Sequence, residues 1–535
     1  MNFSWKLYRK RFTEGLADSG AREALFVLGV DLGNHSSSLA FYDINRAIPE
    51  TVDISGGYGK PSMPTALQYV KESREWVFGE YALSNRGMSP DTLYTHLLDK
   101  LNRREYLDVD GKPQTVEYVL AMFLREFLSN CRNLNPKAEI AGVTLSVPGY
   151  AADESKAALR QAFALAGWDK SLIAMDSDRE CAFSWYFFNN KGPVQAENAV
   201  FLDFGARELR GGIYGVYPPA ADGEPVRIEC KSSLFEKNCG TDNIDRHMTE
   251  MLTDYYCGQA KTQKDRLEPR IAGQLQAFAY QHKDLLFQQA PGGKPVKLYY
   301  NFVYPPLVQN VTSGIMEAFL APYRAMFLDF ITRLFEKSLP GCAGKEDVRT
   351  VICAGGGFEM LWARNAVAEY FSDSRVINHK NPKNLLAEGA AVRSAQALGI
   401  IPAQAFFIED SHKLRFDVGV GIQVKTQNHK QSRFYPITQR NAFWWQEHAP
   451  VSFIYTGAAQ AERFISLYSR GGDGEMRELG QIALDGLPER PPGATRLALA
   501  LEFSSFNRLT ATVRDLGFGE MFPKSEFAAK QEFVI

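Results

Sequence analysis

The sequence predicts a two-lobed α/β domain built from a duplicated unit, followed by a separate antiparallel β domain. Three observations carry that expectation. A strand–bend–strand pattern, VLGVDLGNHSSSLAFYD at residues 27–43, returns as AVFLDFGARELRGGIYGV at 199–216. Both copies run apolar strand, aspartate, one residue, glycine, polar bend and second strand, as two copies of one α/β fold facing a cleft would. Up to about residue 402 strands mix with helix-period stretches, and beyond it the apolar pattern changes to period two.

The elements follow in order. Residues 1–24 form an N-terminal extension with Lys6, Arg9, Lys10 and Arg11 beside Trp5, Tyr8 and Phe12, without the apolar stretch of a signal peptide. It reads as a solvated extension, with weak membrane or partner contact as the alternative. Residues 25–402 make the α/β domain. There Asp153 caps a helix with a buried stripe of Leu159, Ala162, Phe163 and Ala166, stopped at Gly167. Ser313 to Leu339 reads as a long helical stretch interrupted at Pro322, and 359–371 as a further helix. IPAQAFFIEDSH supplies a linker at 403–412, where an apolar patch meets Glu409 and Asp410. The β domain occupies 413–520: Leu414, Phe416, Val418, Val420 and Ile422 alternate with polar or glycine positions, as do Leu497 to Phe503 and Leu509 to Val513. Residues 521–535 are left as a tail.

Composition narrows the function classes. A chain of 535 residues is too long for one core. Its 60 basic and 62 acidic residues give no electrostatic reason to expect nucleic acid as the main partner. Seven cysteines without a CxxC pair argue for reduced thiols in a cytoplasmic protein and against a zinc ribbon or disulfide framework. Apolar runs stay short of the roughly 18 residues that a membrane span needs, so stable membrane insertion is not expected.

The chemistry-bearing candidates sit at the bends. Small residues at Gly33, Asn34, His35 and Ser36 to Ser38 let successive backbone N–H groups face an anion such as phosphate. Asp31, at the strand end, could hold the waters of a magnesium ion, and Asp203 would do so from the second copy. For either hairpin alone a plain turn is the simpler reading. The third candidate is CAGGGFEMLWAR at 353–364, a strand, three glycines and a helix. Such a turn admits a nucleotide at a helix N-terminus, or merely allows tight strand–helix packing. Three such elements in this order are far more specific than any one of them.

With these residues in view, the chain resembles the 70-kDa heat-shock chaperones of the actin-like ATPase superfamily, over about residues 25–520. The two hairpins look like that family's first and second phosphate loops. LSVPGYAADESKAALRQAFALAGW at 145–168 is similar to its Val-Pro-x-Tyr segment, with the switch proline at Pro148. CGTDNID at 239–245 resembles an acidic glycine turn, while CAGGGFEMLWAR and NPKNLLAEGAAVRSAQ look like the adenosine-side loop and last helix. The segment 479–517 has the pattern of the peptide-binding β domain. The resemblance implies an actin-like ATPase domain with ribonuclease H-like halves, a C-terminal β-sandwich, and Mg2+ with ATP or ADP in the cleft. Phosphate-binding roles would fall on Gly33, Asn34, His35, Ser36, Gly205, Ala206 and Arg207, and adenosine-side roles on Gly240, Lys283, Gly355 and Gly356.

The departures from that family bear on catalysis. Ala206, Arg207 and Glu208 stand where the second loop has Gly-Gly-Thr, so Cβ atoms and a carboxylate enter where phosphate would approach. Arg207 compensates by pairing with phosphate or with Glu208. The catalytic lysine has no counterpart in register at 92–101, where His96 and Leu97 stand and Lys100 comes one turn late. The family's glutamate falls in DSDR at 176–179, with Asp176 or Asp178 as heirs. Tyr280, Asp284 and Phe287 replace the adenosine-side glutamate, arginine and serine, and Glu359 replaces the adenine-stacking arginine.

Two readings follow. In one, a divergent chaperone binds ATP or ADP and extended apolar peptides, with Asp31 and Asp203 positioning magnesium and water and with weak or absent hydrolysis. In the other, a pseudo-ATPase serves as an interaction scaffold or co-chaperone, paired with another chaperone or a client protein. The peptide-site candidates are Val420, in a loop near 418–424, and the triplet Phe443, Trp444 and Trp445; core packing is the plainer role for the triplet. The family's helical lid has no counterpart after the β domain. A sugar kinase or filament of the same superfamily is disfavoured by the β domain itself.

Overall fold

A computed structural model of the chain describes residues 25–534 apart from 55–60, 86–91, 135–138, 150, 152, 222–223, 238, 288–293, 337–341, 343, 403–405, 410–413, 415, 427–428, 441, 443, 445–447, 456–463, 472–473 and 506–507. The N-terminal extension lies outside the described residues. The chain divides into two compact units, Met1–Ile408 and Glu409–Ile535.

Two six-stranded sheets organise the first unit. The first comprises β1 (Leu25–Asp31), β2 (Ser36–Asp43), β3 (Ile48–Thr51), β4 (Ser62–Pro64), β5 (Glu139–Val147) and β6 (Ile173–Ser177). Its order is β6-β5-β1-β2-β3, with β4 also on β2. The second comprises β7 (Glu197–Phe204), β8 (Glu208–Tyr217), β9 (Val226–Lys237), β10 (Val348–Ala354), β11 (Arg375–Asn378) and β12 (Phe406–Glu409), in the order β11-β10-β7-β8-β9-β12. Each repeated hairpin sits at the same place in its sheet: β1 and β7 pair antiparallel with the strand that follows and parallel with β5 and β10 respectively. Parallel pairing needs a crossover connection, and helices supply it.

The helices used below are α1 (Leu97–Asn102), α2 (Val116–Leu134), α3 (Asp153–Leu165), α4 (Asp178–Asn189), α5 (Thr241–Ala260), α6 (Pro269–Phe287), α7 (Ser313–Glu336), α8 (Leu361–Tyr370) and α9 (Leu385–Ala397). Helices α2 and α3 cover one face of the first sheet with fully buried Phe123, Phe127 and Phe163; each such side chain contributes about 1.5–3 kcal/mol through lost water contact. The stripe on α3 buries Ala162, Phe163 and Ala166, and Gly167 follows at a φ of +92°. The opposite face carries α9, whose Ala387, Ala391 and Ala395 lie against Val27 and Ala40. Helix and strand approach so closely that a Cβ on Gly29 would stand 2.1 Å from Ala387 O and Ala391 N. The second sheet has its own core, with Phe327, Phe330 and Leu334 of α7 and Phe358 fully buried.

The second unit pairs two four-stranded antiparallel sheets. One is β14-β13-β16-β17, from β13 (Asp417–Thr426), β14 (His429–Pro436), β16 (Phe464–Arg470) and β17 (Met476–Ala483). The other is β15-β18-β19-β20, from β15 (Val451–Tyr455), β18 (Thr495–Ser505), β19 (Arg508–Asp515) and β20 (Ala528–Val534). The alternation read from the sequence is the core pattern: Val418, Val420, Leu497, Leu499, Leu501, Leu509, Ala511 and Val513 are buried together, with Leu467 beside them.

Four expectations are corrected. Helix α7 runs through Pro322 without ending, because a helix flanked by a packed core can lose one backbone bond and stay whole. Within the 403–412 linker, Phe406–Glu409 form the edge strand β12 beside β9. Within the 521–535 tail, β20 pairs with β19 over seven register positions from Arg508↔Val534 to Arg514↔Ala528 and buries Phe533. Residues 418–424 are strand and not loop, and Val420 is 5% exposed in the core, since it shares the inward face with Val418.

Candidate functional site

One cavity of about 120 Å³ in the first unit gathers most of the bend residues. Asp31, Gly33, Asn34, His35 and Ser36 line it from the first hairpin, Asp203, Gly205 and Ala206 from the second, and Gly355 and Gly356 from the glycine turn. Arg207, Gly240 and Pro148 do not reach its lining, and the Lys283 side chain lies outside what is described. The Gly355 turn needs its glycine: φ is +91°, and a Cβ would stand 2.4 Å from Asp203 Oδ1.

The second bend is turned upon itself. Gly205 N–H donates to Glu208 O at 3.0 Å. The first amides of α5 are also engaged, Thr241 N–H with Gly205 O at 3.0 Å and Asp242 N–H with Ala206 O at 2.9 Å. Gly240 permits this approach, as a Cβ there would meet Ala206 O at 2.0 Å. Amides that elsewhere present themselves to phosphate are here satisfied by the protein.

Arg210 is the residue that sequence reasoning missed. Asp203 and Arg210 are directly opposite across the β7–β8 hairpin. The Arg210 guanidinium bonds Asp203 through Nη2 and reaches Asp178 Oδ2 through Nη1 at 2.9 Å, with Nε 3.6 Å from Glu208 Oε1. In the first hairpin the matching position opposite Asp31 is Ser38. Asp178 is held at the start of α4 by a capping box, in which Ser177 and Glu180 bond each other's backbone. Period-two alternation puts Arg210 on the face of Glu208, and SDRE at 177–180 is a helix-start signature; together they were the available signal.

Burial and the neighbouring Asp203 charge outweigh Arg210 and push the Asp31 carboxyl up to about 7. Burial raises Asp203 as well, against the opposing pull of Arg210. A hydrated magnesium ion needs ionised, unobstructed carboxylates. With Arg210 seated between Asp203 and Asp178, both of those carboxylates are already engaged by a cation, and these residues do not fit magnesium.

Other candidates are engaged in cross-links. Asn34 and Asp99 of α1 bond reciprocally, Nδ2 to Oδ1 at 3.1 Å and Asp99 N–H to Asn34 Oδ1 at 3.0 Å. Arg207 Nε donates to Asp99 Oδ2 at 2.7 Å, so its partner is Asp99 and not Glu208. Asp176 bonds Arg393 Nε at 2.7 Å, which leaves Asp178 as the acid on the Arg210 side. On the glycine-turn side, Lys383 and Glu359 form an ion pair at 2.9 Å, both lining the cavity. The Tyr280 ring lies 5.3 Å from His35. In the second unit Trp444 is half-buried, and Phe443 and Trp445 lie outside the described residues.

Known proteins bear on this geometry. Residues 48–256 match the family described as "Family of unknown function (DUF5716) C-terminal", and residues 416–535 match "Domain of unknown function (DUF8552)". The chaperone protein DnaK of Thermotoga maritima is 23% identical over 521 residues, covering 94% of this chain and 80% of that protein. DnaK of Thermosipho melanesiensis is 21% identical over 514 residues, covering 92% and 79%. No helix among the described residues is long and apolar enough to cross a membrane. Over most of its length, the chain is a distant relative of DnaK.

Proposed function

We propose that this chain is a heat-shock-70-like, chaperone-type protein whose cleft is a pseudo-ATPase site. In this reading the first unit has the two-lobed actin-like arrangement, and the cavity between its hairpins descends from a nucleotide pocket. Arg210 carries the reading. A fixed guanidinium between Asp203 and Asp178 supplies the positive charge that a divalent ion would otherwise bring. Phosphoryl transfer depends on a metal and donors aimed at the moving phosphate, and a charge tied to two aspartates is not aimed there. The second unit then acts as the partner-binding half, holding extended apolar peptide or a client protein by strand addition.

Turnover assays on the full chain with ATP, with and without magnesium, test this. Release of phosphate at the blank rate is the expected result. Magnesium-dependent turnover lost in Asp203→Ala overturns the proposal. A second reading, nucleotide binding without hydrolysis, is favoured by the glycine turn at Gly355 to Gly357 and the cavity it borders. Saturable heat on titrating ADP would select it, and no heat at millimolar nucleotide would leave the scaffold alone.

A further inference from the structure

We infer that His35, Asp242 and Asp245 form a binding site for a borderline divalent cation of the zinc class. The inference is independent of the fate of ATP in the cleft. One ligand atom from each residue lies within 4.8 Å of the other two. His35 Nε2 is 3.9 Å from Asp245 Oδ2. In a tetrahedral site with bonds of about 2.0 Å the ligand atoms stand about 3.3 Å apart, so small side-chain rotations close the triad on an ion.

The three residues come from two separate parts of the unit. His35 sits in the β1–β2 bend, and Asp242 and Asp245 are one turn apart on α5. At spacing i, i+3 both carboxylates share one helix face, within reach of a common ion. Each is only partly exposed, with side-chain exposure of 21% for His35, 14% for Asp242 and 19% for Asp245. Tyr280 packs against the imidazole and restricts its orientation.

Two surrounding features point the same way. His35 and Asp245 line the cavity, so an ion bound there would keep an open position toward it for water or an anion. His96 Nδ1 stands 3.4 Å from Asp242 Oδ2, placed to orient that carboxylate from outside the ion's own shell. Arg207 Nη1 is 3.9 Å from the same oxygen, but its close partner is Asp99, so turning Asp242 toward an ion does not strand the guanidinium. An imidazole with two carboxylates suits zinc or cobalt; magnesium prefers oxygen alone and keeps its water. An ion here would fasten the first bend to α5.

Calorimetric titration of zinc into the chelator-stripped full chain is the test, with cobalt absorption as a report on geometry. Saturable binding at a single site, with the visible bands of tetrahedral cobalt, is the expected result. His35→Ala and the isosteric Asp245→Asn should each weaken it by at least about tenfold, the cost of losing even an outer-shell partner. His96→Ala should weaken it by about tenfold or less while keeping the cobalt spectrum. Circular dichroism confirms that each variant is folded, and Asp245→Asn carries the test if His35→Ala is not. No saturable binding, wild-type affinity in folded Asp245→Asn, or full competition by millimolar magnesium would overturn the inference.

Discussion

Replacing Asp31 with asparagine probes the charge state of the cleft. The native carboxyl is pushed from 3.8 to about 7, first by burial and then by the charge of Asp203. Between those two values the folded protein keeps a proton that the unfolded chain has released. Stability therefore falls as pH rises through that window and is flat above it. At about 1.4 kcal/mol per unit, the step from about pH 5.5 to about pH 7 removes at most about 2 kcal/mol. The carboxylate borders the cavity and keeps some contact with water, so about 1 kcal/mol is the working figure. Asp31→Asn has no proton to lose. Its unfolding free energy relative to wild type should improve by about 1–2 kcal/mol between about pH 5.5 and 8, read from denaturant unfolding of the first unit. Parallel pH profiles for the two proteins would refute the reasoning, whatever the absolute stability of the variant.

Three further outcomes are expected. In the second unit, burial would raise Asp515, but hydrogen bonds from Arg490, the Gly517 amide and Ser525 hold its carboxyl well below the usual carboxylate range. That stabilisation is present above the unfolded value and lost as pH falls; Arg490→Met should cost about 3–5 kcal/mol by denaturant unfolding at neutral pH, since it takes the countercharge from a buried carboxylate and leaves it only the Gly517 and Ser525 donors. Burial lowers His379, but its 3.0 Å contact with Glu388 raises it further, so its net shift is upward. Its contribution is complete below the unfolded value of 6.5 and fades as pH rises through the higher folded value, so His379→Gln should lower thermal stability at mildly acidic pH far more than at alkaline pH. Gly355→Ala should cost more than Gly474→Ala when both are measured by thermal unfolding. Both have positive φ, worth about 1–2 kcal/mol, but only at Gly355 would the new methyl meet Asp203 and Phe204.

The sequence made periodic features legible and hid what depends on a partner distant in the chain. Leu497, Leu499 and Leu501 alternate because one face of β18 is buried, and that reads off directly. The edge strand β12 is four residues long, too short for a period, and exists because β9 offers it a ladder. The run FAAKQEF around β20 has a weak alternation, and its pairing with β19 decides it. At the site, the Asp-x-Gly repeats marked the cavity because small bends leave a compositional trace. Arg210 left only the alternation with Glu208: its meaning depends on Asp178, brought beside it by a different strand and helix. Arg207, adjacent to the altered bend, drew the attention, yet its partner Asp99 lies 108 residues earlier.

The strand β20 follows β19 in the chain and forms the outer edge of its sheet. A ribosome making this chain would release β13 to β19 before β20 could pair along the outer side of β19. Until residues 528–534 emerge, the β19 backbone presents an open ladder, and the place that Phe533 fills is empty. The half-made unit is thus itself a sticky intermediate for as long as β20 is still inside the ribosome.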